Sequence, residues 1–216
     1  MSALTDWMLD LVYPTKCVLC RRKLPPGRPS ICPACLAVMP RADGVWTKGD
    51  GFNLCVSALH YEGDVKKAIQ RYKFANAQCY RHAFGELVAA RIYEDLDGEY
   101  DILSFVPLAP DRLRERGYDQ VLLLAEIVSA RLQKPCVRLL KKRRGVGAQS
   151  LTMGIEERRR NIAGAYTAID PAQIAGNRIL LIDDIVTTGS TLSECAKTLK
   201  GAGAKDVVCA TLAVAD

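Results

Sequence analysis

Two adjacent carboxylates, Asp183 and Asp184, close the apolar run Ile179–Ile182. They lead at once into Ile185, Val186, Thr187, Thr188, Gly189, Ser190 and Thr191. An acid pair accepts hydrogen bonds from vicinal sugar hydroxyls and holds a divalent cation through water. The loop behind it offers successive backbone N–H groups, three threonine hydroxyls and one serine hydroxyl. Gly189 lets the backbone approach a ligand without a Cβ. A helix starting here adds its positive end, and the whole becomes a cradle for a phosphate dianion. Acids for a diol beside a loop for a phosphate is the pattern expected of a phosphorylated sugar. The GxxxxGK of a P-loop is absent. The plainer alternative is a capped turn with incidental acids.

A second constellation is metal-like. Cys17 and Cys20, then Cys32 and Cys35, form two CxxC pairs separated by eleven residues. Two such knuckles supply four thiolates to one tetrahedral ion, which is structural zinc geometry with no open position for catalysis. Pro25, Pro26, Gly27 and Pro29 between the pairs suit a loop too small for a core of its own, so metal is expected to hold it together. Two disulfides or free thiols are the alternatives. The remaining cysteines (55, 79, 136, 195 and 209) stand singly in apolar segments and read as small buried hydrophobes. Nine cysteines, with Asp6 and Asp10 where a secretory leader carries basic residues, fit a reducing compartment.

Positioning these groups requires a scaffold, and the chain is long enough for one: 216 residues, 49% hydrophobic, net charge +6. The charge mildly favours anionic partners. No apolar run approaches the roughly 20 residues that span a bilayer. Leu4, Trp7, Met8 and Leu11 share a face at helical spacing, as do Val65, Ala68, Ile69 and Tyr72 in residues 63–74. A longer helix is expected over 78–96 and another over 119–133. Strands are expected at 53–61, 101–109, 136–140, 165–169, 177–182 and 206–215, with short helices at 155–162 and 190–201. Alternation of strands and helices from about residue 100 implies a parallel α/β sheet, in which ligands bind beyond the carboxyl ends of the strands.

"LLIDDIVTTGST" resembles the phosphoribosyl pyrophosphate (PRPP) signature of type I phosphoribosyltransferases. Over nearly the whole chain the pattern resembles the ComF (GntX-like) family. That resemblance rests on the cysteine quartet; on Tyr61, Gly63 and "YKF" at 72–74; on "VPLAPDRLRERGYDQ" at 106–120; and on Arg143, Gln149, Leu151, Glu157, Arg158, Asn161 and "AGAY" ending at Tyr166. It implies a type I phosphoribosyltransferase-like parallel sheet flanked by helices, with a small N-terminal zinc ribbon. The expected division is residues 1–52 for the N-terminal helix and zinc module and 53–216 for the phosphoribosyltransferase-like domain. Within the latter, 53–96 is a hood and 97–216 the core sheet.

The resemblance also assigns roles. Asp183 and Asp184 are the catalytic pair and hold Mg2+ through water; residues Ile185–Thr191 take the 5′-phosphate. Pro107, Leu108, Arg112 and Arg116 take pyrophosphate, for which arginine is suited by its permanent charge and two-pronged grip. Asp119 stands where the family pattern has asparagine. Residues 141–160, with seven basic side chains and three glycines, look like a mobile flap, including Arg143, Gln149 and Arg158, with Asn161 just beyond.

Two function classes follow. One is a ComF-like protein that binds PRPP with Mg2+ and handles incoming single-stranded DNA in natural competence, with other competence proteins as partners. Its expected location is the bacterial cytoplasm, near the inner face of the membrane. Lys66, Lys67, Arg71 and Lys73, interleaved with Tyr72 and Phe74, form a candidate strand-binding strip; a solvated helix face with core aromatics is the bland reading. The other class is an active phosphoribosyltransferase in nucleotide metabolism, acting on an acceptor the sequence does not reveal.

Overall fold

The computed structural model describes residues 16–25, 30–143 and 162–215. A five-stranded sheet organises it. Its strands are β1 (Trp46–Gly49), β2 (Phe52–His60), β3 (Ile102–Phe105), β6 (Arg178–Val186) and β7 (Asp206–Val214), in the order β1-β2-β7-β6-β3. β2, β7, β6 and β3 run parallel; β1 is an antiparallel edge. β6 and β7 are apolar along most of their length and buried, as strands covered on both faces must be.

Alternate residues of β6 feed two cores. Leu180 and Ile182 join a cluster with α2 (Gly63–Phe74), α3 (Arg81–Leu96) and α5 (Gln120–Leu132); Ile179 and Leu181 join one with α7 (Ser190–Gly201). The helices form for legible reasons. Val65, Ala68, Ile69 and Tyr72 are the buried stripe of α2. α5 begins at Asp119, whose carboxylate accepts from the N–H groups of Val121 and Leu122, and ends at Gln133 in the left-handed region. α3 and α5 approach closely at Gly85, where a Cβ would fall 2.4 Å from Ile127 Cγ2.

Several elements depart from the expected ones. The strand expected at 136–140 is reduced to a single bridge between Cys136 and Leu103. Pairing resumes in β4 (Leu140–Lys142), which joins β5 (Tyr166–Ala168) in a separate antiparallel ribbon, so β5 does not enter the main sheet. β2 lies inside that sheet, hydrogen-bonded to β7, although residues 53–96 were expected to stand apart as a hood. The helices expected near the N-terminus and at 155–162 lie outside the described residues, apart from Ile162. The short helices α1 (Pro33–Val38), α4 (Pro110–Arg116) and α6 (Pro171–Ile174) each begin with proline, whose missing N–H costs nothing in a first turn.

Candidate functional site

β6 does not stop before its acids. The strand continues to Val186, with Asp183 paired in register to Thr211 and Ile185 to Ala213. Adjacent strand residues face opposite ways. Asp184 therefore turns toward α2 and α5, and Asp183 toward α7 and the β4–β5 ribbon. Both are buried, 9% and 7% exposed for Asp183 and Asp184. Asp184 is satisfied internally: Lys73 Nζ lies 2.8 Å from Oδ1 and Gln120 Nε2 donates to Oδ2 at 2.8 Å. Asp183 accepts the Asp184 N–H at 2.8 Å. Burial, then the neighbouring Asp184 charge, push its carboxyl up to about 8. The thiol of Cys195 beside it is likewise raised, by burial and then by Asp183.

The loop after β6 carries Gly189 at φ 68, a left-handed conformation that favours glycine. Gly189 is the N-cap of α7, and no side chain among the described residues caps this helix. Among the described residues its first N–H groups thus have no side-chain acceptor and present the positive end of a twelve-residue helix. Thr188 Oγ1 and Ser190 Oγ lie 2.8 Å apart, Thr187 is exposed, and Thr191 is half-buried. Ile185 is half-buried and Val186 buried; they contribute backbone and packing.

On the other side of β6, the loop after β3 brings Pro107 and Leu108 beside the acids. The Leu108 N–H, expected to face pyrophosphate, instead donates to Asp119 Oδ2 at 3.1 Å. Asp119 serves loop and helix at once, which gives this position a structural reason for an acceptor-only side chain. Arg112 pairs with Glu115 at 3.1 Å on the surface, and Arg114 with Asp111. Arg116 makes no carboxylate pair among the described residues; its guanidinium lies 4.7 Å from the Phe74 ring centre. Of the flap residues, Arg143 is exposed and its N–H donates to Ala165 O at 2.8 Å. Gln149, Arg158 and Asn161 lie outside the described residues.

The proposed strand-binding strip divides. Lys66 and Lys67 are exposed, Lys67 being 3.1 Å from Asp64. Arg71 donates to the carbonyls of Val18 and Leu19 at 2.8 and 2.9 Å, and Lys73 turns in to Asp184. Tyr72 is fully buried and donates to Gln120 O at 2.7 Å, so it offers no stacking face. Helical period carried this signal: Lys73 continues the buried i, i+4 series Val65, Ile69. Sequence reasoning placed Gln120 in the 106–120 segment but gave it no role toward Asp184, and counted Lys142 only as flap charge. Lys142 is half-buried, 5.3 Å from the Tyr166 ring centre, and burial lowers its ammonium despite the favourable charge of Asp183.

The cysteine quartet is gathered as expected. All four Sγ atoms lie within 4.8 Å of one another, with Cys20 and Cys32 at 3.8 Å. A tetrahedron with Zn–S bonds of about 2.3 Å has edges of about 3.8 Å. The Cys32 N–H points at Cys17 Sγ at 3.4 Å. Burial raises the Cys17 thiol, but the N–H groups of Cys32, Cys20 and Leu19 outweigh it and bring it down to about 7. Burial, then the other three cysteines, hold Cys35 up to about 12. Four sulfurs this close could hold one metal ion, and the donor set fits zinc. The remaining five cysteines are free thiols.

Fold and strand-tip loop together define a phosphoribosyltransferase-type domain, and residues 121–215 match the family described as "Phosphoribosyl transferase domain". The chain is 30% identical over 183 residues to competence protein ComFC of Streptococcus pneumoniae, covering 82% of this chain and 77% of that protein. It belongs to the ComF family. It is also 28% identical over 224 residues to the DNA utilization protein YhgH of Escherichia coli, covering 92% of this chain and 97% of that one. Among solved structures, glutamine PRPP amidotransferase from Bacillus subtilis aligns with TM-score 0.45 and 19% identity over 66% of this chain and 30% of that chain.

Proposed function

We propose that this chain binds PRPP with Mg2+ at the tip of β6 and serves, in the bacterial cytoplasm, in handling incoming single-stranded DNA during natural competence. One observation carries the PRPP reading: the positive end of α7, with no side-chain cap among the described residues, follows a strand whose tip holds a buried acid pair. The 5′-phosphate sits on the N–H groups and hydroxyls of residues 187–191. Asp183, whose second oxygen has no partner among the described residues, faces the ribose. Mg2+, held through water by Asp183, would supply charge neutralisation to the pyrophosphate. Arg116, unpaired with acid among the described residues, takes the other end of that group. Asp184 acts one step back, through Lys73 and Gln120. Titration calorimetry tests this. The parent protein binds PRPP with Mg2+, and Asp183→Asn combined with Asp184→Asn abolishes the heat; normal binding by the double variant removes the assignment.

The DNA reading is supported by the names of the relatives, by the net charge of +6 and by exposed Lys66 and Lys67. With Arg71 and Lys73 committed inward, the strip on α2 contributes few phosphate contacts. Affinity for an oligonucleotide is expected to fall with salt, and Lys66→Ala with Lys67→Ala to reduce the log–log slope by up to about 2. A response flat in salt contradicts it. A second reading is turnover in nucleotide metabolism, favoured by a site with both phosphate and pyrophosphate ends. Pyrophosphate release on adding nucleobases distinguishes turnover from binding alone.

A further inference from the structure

The last turn of α2 connects four parts of the molecule through four consecutive side chains. Arg71 holds the carbonyls of Val18 and Leu19, inside the Cys17–Cys20 knuckle, at 2.8 and 2.9 Å. Tyr72 reaches Gln120 O at the start of α5, and the Tyr118 hydroxyl donates to the Tyr72 carbonyl. Lys73 holds Asp184 at the tip of β6 at 2.8 Å. Phe74 lies under Arg116 at the end of α4. Residues two apart on an α-helix point about 200° apart, so Arg71 and Lys73 leave opposite sides of the same turn. One side grips the cysteine module and the other the acid pair.

These contacts are not casual surface pairs. The Lys73 and Asp184 side chains are 17% and 10% exposed. Removing one partner leaves a buried charge uncompensated, which is costly. The knuckle carbonyls gripped by Arg71 lie beside Val18 and Leu19 side chains that pack in the same core as α2. A shift of the knuckle therefore moves the turn, and a shift of the turn moves the ammonium on Asp184.

We propose that Arg71 and Lys73 are positioning residues that couple metal binding in the cysteine module to the acid pair, so that zinc and the phosphoribosyl ligand bind cooperatively. The ligand half rests on the PRPP reading above; the coupling between module and strand tip does not. Linkage makes the effect reciprocal. A change at Asp184 or Lys73 alters zinc affinity, although neither residue touches a cysteine. A change at Arg71 alters PRPP affinity, although Arg71 touches no part of the strand tip.

The experiment uses the full chain and two readouts. Zinc affinity is measured by competition with a coloured chelator for the parent, Arg71→Met, Lys73→Met, Lys73→Arg and the Arg71→Met/Lys73→Met double variant. PRPP affinity in the presence of Mg2+ is measured on the same proteins. Lys73→Met is expected to weaken zinc binding about 5-fold or more, within the usual range of coupling between sites, and Lys73→Arg to restore most of it. The double variant is expected to lose less than the product of the single losses, because both substitutions break one connection. Zinc affinity within twofold of the parent in a folded Lys73→Met protein overturns the coupling. Should Lys73→Met fail to fold, Lys73→Gln takes its place under the same criterion. If the parent binds no PRPP, the PRPP reading falls while the zinc measurement still decides the coupling.

Discussion

Stripping the metal is expected to collapse the cysteine module and to lower the stability of the whole chain. Structural zinc binding in small modules is worth about 10–16 kcal/mol at neutral pH. The module has little else: residues 16–25 and 30–45 contain only one helix, Pro33–Val38, and it buries none of its residues. Yet Val18, Leu19, Leu24 and Met39 pack in the same apolar cluster as α2, α3 and α5. Losing the ion releases those side chains and, with them, the Arg71 contacts. Cys17→Ser or a strong chelator should therefore lower the thermal midpoint markedly, and one zinc per chain should be found by mass or elemental analysis. A zinc-free protein with an unchanged melting curve would contradict the zinc assignment.

Replacing Asp183 by asparagine is expected to stabilise the fold while destroying ligand binding. In the folded chain the Asp183 carboxyl is pushed up to about 8 from an ordinary value near 3.8, chiefly by burial and then by Asp184. Below about 4 the carboxyl is protonated in both folded and unfolded chains and costs nothing. As pH rises, the unfolded chain gives up its proton first, so the contribution of this group to stability falls until both states are ionised above about 8. Asparagine has no charge to bury. The variant should exceed the parent by about 1 kcal/mol or more at pH 8, since a tenfold difference in proton affinity between the two states corresponds to about 1.4 kcal/mol. The difference should shrink toward pH 4. Denaturant midpoints across that range read the effect. A variant less stable than the parent at pH 8 would show that Asp183 is held by favourable contacts instead. A group that destabilises its own fold is the expected signature of a residue kept for binding.

Much of this was legible from spacing alone. α2 and α7 fall on the expected ranges 63–74 and 190–201, and the four cysteines converge as their intervals require. What the residues did not reveal depended on which way a side chain turns. Asp183 and Asp184 read as a pair, but continuation of β6 through them sends one to each core. Arg71 and Lys73 read as surface charge because lysine and arginine are seldom buried; their partners, Val18 and Leu19 carbonyls and Asp184, are remote in sequence. The isolated Cys136 bridge and the β4–β5 ribbon were misjudged because short apolar runs carry no information about which sheet they join. β2 read as a strand, and only tertiary pairing with β7 shows that it belongs to the main sheet.

The central claim is that the tip of β6 and the start of α7 grip one phosphoribosyl group. A crystal structure of the full chain with PRPP and Mg2+ tests it most directly. The account predicts the 5′-phosphate against the amides of residues 187–191, the ribose beside Asp183, and the pyrophosphate reaching toward Arg116. Density for the ligand elsewhere, with Gly189 and Ser190 untouched and Asp183 still shut beneath its neighbours, would contradict it.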